Sequence, residues 1–329
     1  MGLKTYIVRR IIYMIILMWA VMTVNFLIFD LMPGSPLERY VSKVSGRMTP
    51  DQIEILKEKF GLNKPLHERY ITYLKNLLVW DFGVSHYSGS VSEVMKKRLV
   101  STLELMGIST VITIFTGILL GIVAGYKRGS SIDTSLVVGA LITYSVPIFW
   151  LGWLIQYIFA VQLHWFPAGG KFPEAWMLYG FPNNIFEYIA GRLYHLVLPV
   201  VTLVLFSVGG WILLTRACIL ETITEDYVIT ARAKGLRERT VLLKHVLKNA
   251  SLPLITSATL SFAFMIGGAI ITETIYNYEG MGRWTWLSIL NNDIPALQAI
   301  FYVSAIAVIV ANFIADLLYG VIDPRIKYG

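Results

Sequence analysis

The sequence has 329 residues, of which 56% are hydrophobic and 15% are charged, and its mean hydropathy is +0.62. A soluble domain carries about 25% charged residues, so this composition excludes an ordinary soluble protein. The net charge is +7, but basic residues beside apolar segments are the usual topology signal of a membrane protein. Membrane topology therefore explains the charge better than a nucleic-acid partner does, and we expect no such partner.

Six stretches of the chain contain no charged residue, and each is long enough to cross a bilayer. A membrane-spanning helix needs about 20 apolar residues, because each residue advances it by about 1.5 Å through a hydrocarbon core of about 30 Å. We therefore predict an all-α, polytopic membrane protein with six transmembrane helices and both termini on one side. The predicted spans are Ile11–Phe29, Leu105–Tyr126, Thr134–Leu163, Leu196–Thr215, Leu252–Thr272 and Pro295–Ala315.

Two of the prolines in these spans are predicted kink sites. Pro147 is in the third span, and Pro199 is in the fourth, where Gly209-Gly210 follows. Proline removes a backbone donor and clashes with the preceding turn of a helix. We expect kinks at these positions, which transporters tolerate when neighbouring helices satisfy the freed backbone groups.

The positions of Lys and Arg predict the side of the membrane that each loop occupies. Fourteen of them lie in the short segments on the side of the termini, and three lie in the short loops on the opposite side. Cytoplasmic loops carry the excess of positive charge, whereas segments longer than about 60 residues are translocated largely regardless of charge. We therefore expect a plasma- or inner-membrane protein with both termini in the cytoplasm.

The segment between the first two spans has the pattern of a small helical insert on the external side. Thr49-Pro50-Asp51-Gln52 is typical of a helix start, with Pro at the first helical position and a capping-box Gln. A second amphipathic stretch places Leu66, Tyr70, Leu74 and Leu78 on one predicted stripe. We expect these helices to pack on each other or on the span ends. The predicted division is 1–29 for the N-terminus and first helix, 30–99 for the insert, 100–322 for a five-helix core that contains the loop 216–250, and 323–329 for the tail.

The loop between the fourth and fifth spans is the most informative segment. Glu225 and Asp226 suit a helix N-terminus, because the helix dipole favours anions there. Good helix formers follow, and Gly235 is a natural residue for the position just after a helix. We predict a short helix over Tyr227–Lys234 and a second one over Arg239–Asn249 that leads into the fifth span.

Two interpretations fit this short helix. Small side chains at Ala231 and Ala233, with Arg232 and Lys234 beside them, suit one face that another protein approaches closely. A helix that lies on the bilayer with its cations on anionic headgroups accounts for the same residues. The residue types by themselves leave both interpretations open.

The pattern Tyr-x-x-Thr-Ala-Arg-Ala-Lys-Gly-Leu at 227–236 resembles the EAA loop of ABC importer permeases, in the form found in the dipeptide/oligopeptide/nickel family. Ile229-Thr230-Ala231 stands where the general consensus has Glu-Ala-Ala. The resemblance favours contact with another protein over contact with lipid. The ATPase-coupling residues that it implies are Glu225, Asp226, Tyr227, Thr230, Ala231, Arg232, Ala233, Lys234 and Gly235.

Other segments resemble the same family in the same order along the chain, and the long insert after the first span resembles its B-type subunit. These segments are Arg9-Arg10, Met32–Pro36, Gly61–Pro65, Asp81–Ser85, Thr102–Leu105, Tyr144–Trp150, Thr272–Tyr276, Gly280–Arg283, Asp316–Gly320 and Asp323–Ile326.

The resemblance implies a type I importer permease fold in the lipid bilayer. It also implies a complex with a second, homologous permease, two ATPase subunits and an external substrate-binding protein. The chain has no Gly-x-x-x-x-Gly-Lys-Ser/Thr phosphate loop, so we expect no enzyme activity and no cofactor here, with ATP and Mg²⁺ on the ATPase subunits. The short helix is then expected to sit in a groove of an ATPase subunit and to switch the spans between inward- and outward-facing states.

Three carboxylates are candidates for the translocation path. Charged groups inside membrane spans are costly and usually functional, and Glu104, Glu273 and Asp316 lie near the ends of predicted spans. Structural pairing, for example with Arg98 or Arg283, is the alternative. We expect no metal site.

Other functions and substrates call for different features. A membrane metalloprotease or a common serine hydrolase needs His-Glu-x-x-His or Gly-x-Ser-x-Gly, and the sequence contains neither. A secondary transporter or channel has no need of an EAA-like loop. Di- and oligopeptides are the substrates that the resemblance implies, with oligosaccharides and nickel chelates as alternatives.

Overall fold

The computed structural model describes residues 3–30, 49–59, 64–85 and 87–322. The motif residues 32–36, 61–63 and 323–326 lie outside this part of the chain. The described elements are helical apart from one hairpin of two strands, each two residues long. In chain order they are α1 (Leu3–Asp30), α2 (Pro50–Lys59), α3 (Leu66–Leu78), β1 (Val84–Ser85), β2 (Gly89–Ser90), α4 (Val91–Tyr126), α5 (Ser131–Ser145), α6 (Ile148–Gln156, continued by a π-helical turn Tyr157–Gln162), α7 (Glu174–Tyr179), α8 (Ile185–Thr222), α9 (Asp226–Ala233), α10 (Glu238–Gly267), α11 (Ile270–Ile275), α12 (Met281–Asn291) and α13 (Ile294–Ile322).

The six predicted spans are confirmed within the described residues. Five helices (α1, α4, α8, α10 and α13) are long and apolar enough to cross a membrane, and the bent pair α5–α6 makes the sixth. We call the end of the bundle that carries α9 the loop end, and the opposite end the insert end. Successive spans run between these two ends, so that α4 and α8 both point from the insert end to the loop end.

The third span is broken at Pro147, as predicted. Its halves α5 and α6 meet at 96°, and Val146 is extended with φ −77° and ψ 127°, which is the conformation that a residue before proline prefers. Pro199, by contrast, lies inside α8, which runs for 38 residues without a break. The two prolines have different surroundings. Pro199 lies in the central helix of the bundle, which packs against α4, α5, α6 and α10.

The boundaries of two predicted spans need correction. α4 begins at Val91, so residues 91–99 belong to the second span helix and not to the insert. At 36 residues it is about 54 Å long, which lets its first, charged turns project beyond the hydrocarbon core. The predicted span 252–272 ends instead at Gly267, because Gly268 adopts φ +78° and Ile270–Ile275 forms a separate helix. The predicted helix 239–249 is continuous with that span and contains the π-helical stretch Val241–Val246.

A stripe of glycines packs α4 directly onto α8. Gly117, Gly121 and Gly125 lie one turn apart, and a Cβ atom added at Gly121 would come within 2.5 Å of the Thr215 Cβ atom. A Cβ at Gly125 would meet Ile219 at 2.8 Å. Small residues at this spacing let two membrane helices approach closely where van der Waals packing drives association. This parallel pair of helices forms the centre of the helical bundle.

The insert folds against the first span. The predicted cap is present: Gln52 N–H donates to Thr49 Oγ1 at 3.4 Å, and Thr49 N–H donates to Gln52 Oε1 at 3.0 Å. Helix α3 contacts α1 through Tyr70, whose hydroxyl lies 2.6 Å from Thr23 Oγ1, and through Tyr73, which accepts from Asn25 at 3.1 Å.

The stripe that α3 buries differs from the predicted one. Leu66 and Leu78 are exposed, whereas Leu77 is buried with Tyr73 partly covered beside it. An i+4 repeat drifts by about 40° per step on an α-helix, so residues 66 and 78 end up about 120° apart. The contacting face therefore follows the mixed i+3 and i+4 spacing of Tyr70, Tyr73 and Leu77.

Candidate functional site

The predicted short helix is present at the loop end as α9. Glu225 is its N-cap residue with an extended backbone, Asp226 stands in the first turn, and Lys234 is the C-cap residue. Gly235 follows with φ +75°. Its N–H donates to the Arg232 carbonyl at 2.9 Å, and the Leu236 N–H donates to the Ala231 carbonyl at 3.4 Å. These two bonds form a Schellman motif, which requires the left-handed backbone that glycine adopts without strain.

One face of α9 is anchored in the protein. Val228 and Ala231 are buried and belong to a cluster that contains Ile219 of α8 and Val241 and Val246 of α10. The ends of α8 and α10 therefore meet beneath α9. A displacement of α9 must act on α8 and α10 together, because the three elements share one apolar core.

The rest of the surface of α9 is open, with Tyr227 and Ile229 on either side of the buried stripe. Tyr227 is 39% exposed, Ile229 is 56% exposed, and Leu236 just beyond the helix is 39% exposed. The remaining exposed positions of this segment are polar, charged or small, and they include Glu225, Asp226, Thr230, Arg232, Ala233, Lys234 and Gly235. Apolar side chains in the open beside charged ones are a typical composition for a contact surface.

The expectation that Ala231 and Ala233 share one outward face is wrong. Ala231 is 4% exposed and packs inward, whereas Ala233 is exposed. Residues two apart on a helix point in nearly opposite directions, so the two alanines cannot line one surface. The small side chain of Ala231 allows α9 to lie close to its own protein. Arg232 forms an exposed ion pair with Glu238, at 3.0 Å from Nε to Oε1, which links the end of α9 to the start of α10.

Glu273 lies at the insert end inside a closed shell of hydrogen bonds. Its side chain is 0% exposed and accepts from the Thr102 hydroxyl at 2.8 Å and from the backbone N–H groups of Arg283 at 2.9 Å and Ala269 at 3.3 Å. Burial raises the pKa of Glu273, and these hydrogen bonds act in the opposite direction. In this conformation the carboxylate joins the loop after α10 to α4, and none of its surface faces an open passage.

Glu104 belongs to a second cluster at the same end. Arg192 of α8 pairs with its carboxylate, and the Tyr278 hydroxyl donates to the same carboxylate at 3.2 Å. The Arg192 guanidinium also lies over the Phe172 ring at 4.9 Å and donates to the Tyr188 hydroxyl at 3.1 Å. Glu104 keeps 25% of its side chain exposed, whereas Glu273 at the same end is 0% exposed.

Asp316 lies in the last span and pairs with Arg10 of the first, at 2.6 Å between Oδ2 and Nη1. All three candidate carboxylates therefore have structural partners, but neither of the two suggested arginines pairs with one through its guanidinium group. Arg98 pairs with Glu279 at 3.1 Å, and Arg283 contributes its backbone N–H. A role in the translocation path stays a prediction for each carboxylate.

The sequence reasoning missed the residues that complete these clusters. Thr102 and Tyr278 are uncharged and carried no signal as partners. The glycines were a usable signal: a Cβ atom at Gly280 would lie 2.4 Å from both Glu273 Oε2 and Thr102 Oγ1, and one at Gly268 would lie 3.0 Å from Glu273 Oε1. Glycines spaced closely after a span and around a lone carboxylate indicate backbone that folds tightly onto that group.

Two family models match the chain. The one described as "Binding-protein-dependent transport system inner membrane component" covers residues 117–328, and an N-terminal model of the same transport systems covers residues 3–93. Among curated relatives, the oligopeptide transport system permease protein AppB of Bacillus subtilis is 34% identical over 328 residues, which are 99% of this chain and 100% of that protein. The dipeptide transport system permease protein DppB of Alkalihalophilus pseudofirmus is 34% identical over 333 residues, 98% of this chain and 99% of that protein.

Proposed function

The chain belongs to the family of binding-protein-dependent transport system inner membrane components, and from this premise we propose that it is the permease subunit of an ATP-driven importer of di- and oligopeptides. Its part in transport is to form the membrane passage and to convert movement of an ATPase into a change of span packing. ATP and Mg²⁺ act on the ATPase subunits, and this chain performs no hydrolysis.

The observation that carries the proposal is the two-faced helix α9. Its inner face is packed into the ends of α8 and α10, and its open surface exposes Tyr227 and Ile229, with Leu236 just beyond the helix, among charged residues. A helix that only rested on the bilayer has no need of a rigid attachment to two spans. An attached lever with an open contact face is what an ATPase needs in order to drive the membrane part.

The motion follows from the packing. Closure of two ATPase subunits around nucleotide displaces the outer face of α9, and the shared core passes the displacement to α8 and α10. The spans then exchange an inward-facing packing for an outward-facing one. The spans therefore act as a two-state element. Both nucleotide and the substrate-loaded binding protein shift the equilibrium between its two states.

The proposed assembly contains this chain, a second homologous permease, two ATPase subunits and an external binding protein. In this proposal the loop end and both termini lie in the cytoplasm, which the excess of Lys and Arg in those segments supports. The insert end, with Glu104 and its partners, then faces the binding protein. The relatives named above are described as oligopeptide and dipeptide permeases, which supports peptides as the substrate class over oligosaccharides and nickel chelates.

The test is the ATPase activity of the complete complex in lipid. The chain is co-purified with its partner subunits and titrated with peptide-loaded binding protein, and separately with sugar-loaded and nickel-chelate-loaded forms. Stimulation by the peptide-loaded form supports the proposal. Stimulation by another form alone keeps the mechanism and replaces the substrate. A chain that associates with no ATPase contradicts the proposal as a whole.

A further inference from the structure

An ion pair between a buried aspartate and a partly exposed arginine joins the bent third span to the loop end of α8. Asp133, in the first turn of α5, has only 5% of its side chain exposed, and Arg216 of α8 has 27%. Arg216 Nε donates to Asp133 Oδ1 at 2.7 Å, and Nη2 donates to Oδ2 at 2.9 Å. This two-pronged geometry fixes the relative orientation of the two helices as well as their distance.

The same carboxylate holds the turn between α4 and α5. The Gly129 N–H donates to Asp133 Oδ2 at 3.0 Å, and Gly129 adopts φ +78°. Ser130 caps α5 by accepting from the Asp133 N–H at 3.3 Å. One side chain therefore connects the end of α4, the start of α5 and the end of α8.

Arg216 lies close to the anchor of α9. It precedes Ile219 by less than one helical turn, and Ile219 is 0% exposed in the cluster with Val228 and Val241. Gly125 of α4 packs against Ile219 from the other side. The pair thus ties α5 to the stretch of α8 on which α9 is mounted.

We infer that Asp133 and Arg216 are positioning residues that transmit the displacement of α9 to the bent third span. The inference rests on the proposed function and adds a second route to it. The shared apolar core drives α8 and α10, and the ion pair makes α5 follow α8. The break at Pro147 then lets α5 turn relative to α6, so that the third span changes shape when the loop end moves.

An ion pair suits this task better than apolar contact. A packed apolar core transmits displacement through close fit, but apolar attraction itself has no preferred direction. A two-pronged charge-assisted hydrogen bond is favourable only over a narrow range of orientations, and separating it removes two hydrogen bonds from the Asp133 carboxylate, of which only 5% is exposed. The pair therefore resists slippage between α5 and α8 under load.

The experiment measures peptide transport and ATP hydrolysis in the same proteoliposomes of the complete complex, for wild type, Asp133→Asn, Arg216→Ala and Arg216→Lys. We expect the number of peptides transported per ATP hydrolysed to fall at least fivefold in D133N and R216A. Assembly and the ATPase rate without substrate should stay within twofold of wild type. R216K keeps the positive charge but not the two-pronged hydrogen bond, and it should recover at least half of the wild-type ratio of peptides transported to ATP hydrolysed. Glu54→Gln, at an exposed position of the insert, serves as the control with no expected change.

Loss of assembly and of both rates in proportion, with an unchanged ratio, assigns the pair a purely structural role and overturns the inference. If R216A does not assemble, D133N decides: a ratio at least fivefold below wild type supports the inference, and a wild-type ratio overturns it. A wild-type chain that associates with no ATPase overturns the proposed function and this inference together. A wild-type complex that responds to peptide while D133N keeps the full ratio overturns this inference alone.

Discussion

Thr102 and Glu273 are 171 residues apart in the chain and are joined by a 2.8 Å hydrogen bond in the protein interior. The Thr102 oxygen also accepts from the Met281 N–H at 2.7 Å. A single hydroxyl thus fastens the second span to the loop that follows the fifth. Both partners are fully buried, so neither can exchange this contact for water.

Replacing Thr102 with Val should destabilise the protein. The change removes a donor from a buried carboxylate and an acceptor from a buried amide, for a loss of about 2–3 kcal/mol in the free energy of unfolding. Thermal unfolding can be followed with a thiol-reactive dye, since the single cysteine Cys218 is buried. Thr102→Ser keeps the hydroxyl and should unfold close to the wild-type temperature. Equal unfolding temperatures for T102V and wild type would contradict the assigned role.

Gly121→Ala should weaken the contact between α4 and α8. The added methyl group would lie 2.5 Å from Thr215 Cβ and 2.8 Å from the Ile212 carbonyl oxygen, and overpacking of this kind costs about 1–3 kcal/mol. Gly107→Ala is a matched control on the same helix, because no atom lies within 4 Å of its added Cβ. It should be neutral or stabilising by roughly 0.5–1 kcal/mol, since Ala favours a helix over Gly. The same dye assay compares the two, and an order opposite to this one would refute the packing argument.

Gly235→Val should uncouple transport from ATP hydrolysis without removing the protein from the membrane. No heavy atom lies within 4 Å of a Cβ at this position, so the defect comes from the backbone φ of +75° alone, where a side chain costs about 1–2 kcal/mol. Relief of that strain unwinds the end of α9 and displaces its outer face. Gly235→Asn tolerates the left-handed conformation and should keep coupling near wild type. Peptide uptake by G235V at the wild-type rate per ATP would rule out the coupling role.

Ile229→Asp should reduce the amount of ATPase subunit that co-purifies with the chain. The residue is 56% exposed on the open face of α9, so the change leaves the fold intact while a buried interface position loses about 2 kcal/mol or more, which is at least tenfold in affinity. Ile55→Asp makes the same replacement at a position 63% exposed in the insert and should leave ATPase binding unchanged. Full ATPase recovery with I229D would show that the partner does not contact this face.

Local features of the chain were predictable from the sequence because their physics is local. The six spans follow from runs of apolar residues of sufficient length. The start of α9 at Glu225-Asp226 and its end at Gly235 depend on hydrogen bonds between residues at most five positions apart. The capping box at Thr49 and Gln52 and the break at Pro147 are equally short-ranged. The resemblance of residues 227–236 to the EAA loop also rests on contiguous residues.

Tertiary structure decided which groups meet and which face of each helix is covered. Asp133 and Arg216 are 83 residues apart, and Glu104 and Arg192 are 88 apart; their pairing depends on α8 lying beside both α4 and α5. The burial of Ala231 but not Ala233, and of Leu77 but not Leu78, depends on the neighbour that each helix packs against. Proline likewise has different effects at two positions: the third span is broken at Pro147, whereas α8 continues through Pro199. The sequence specifies what each segment can form, whereas partner, register and exposed face follow from packing the spans together, which minimises a free energy summed over contacts between segments far apart in the chain.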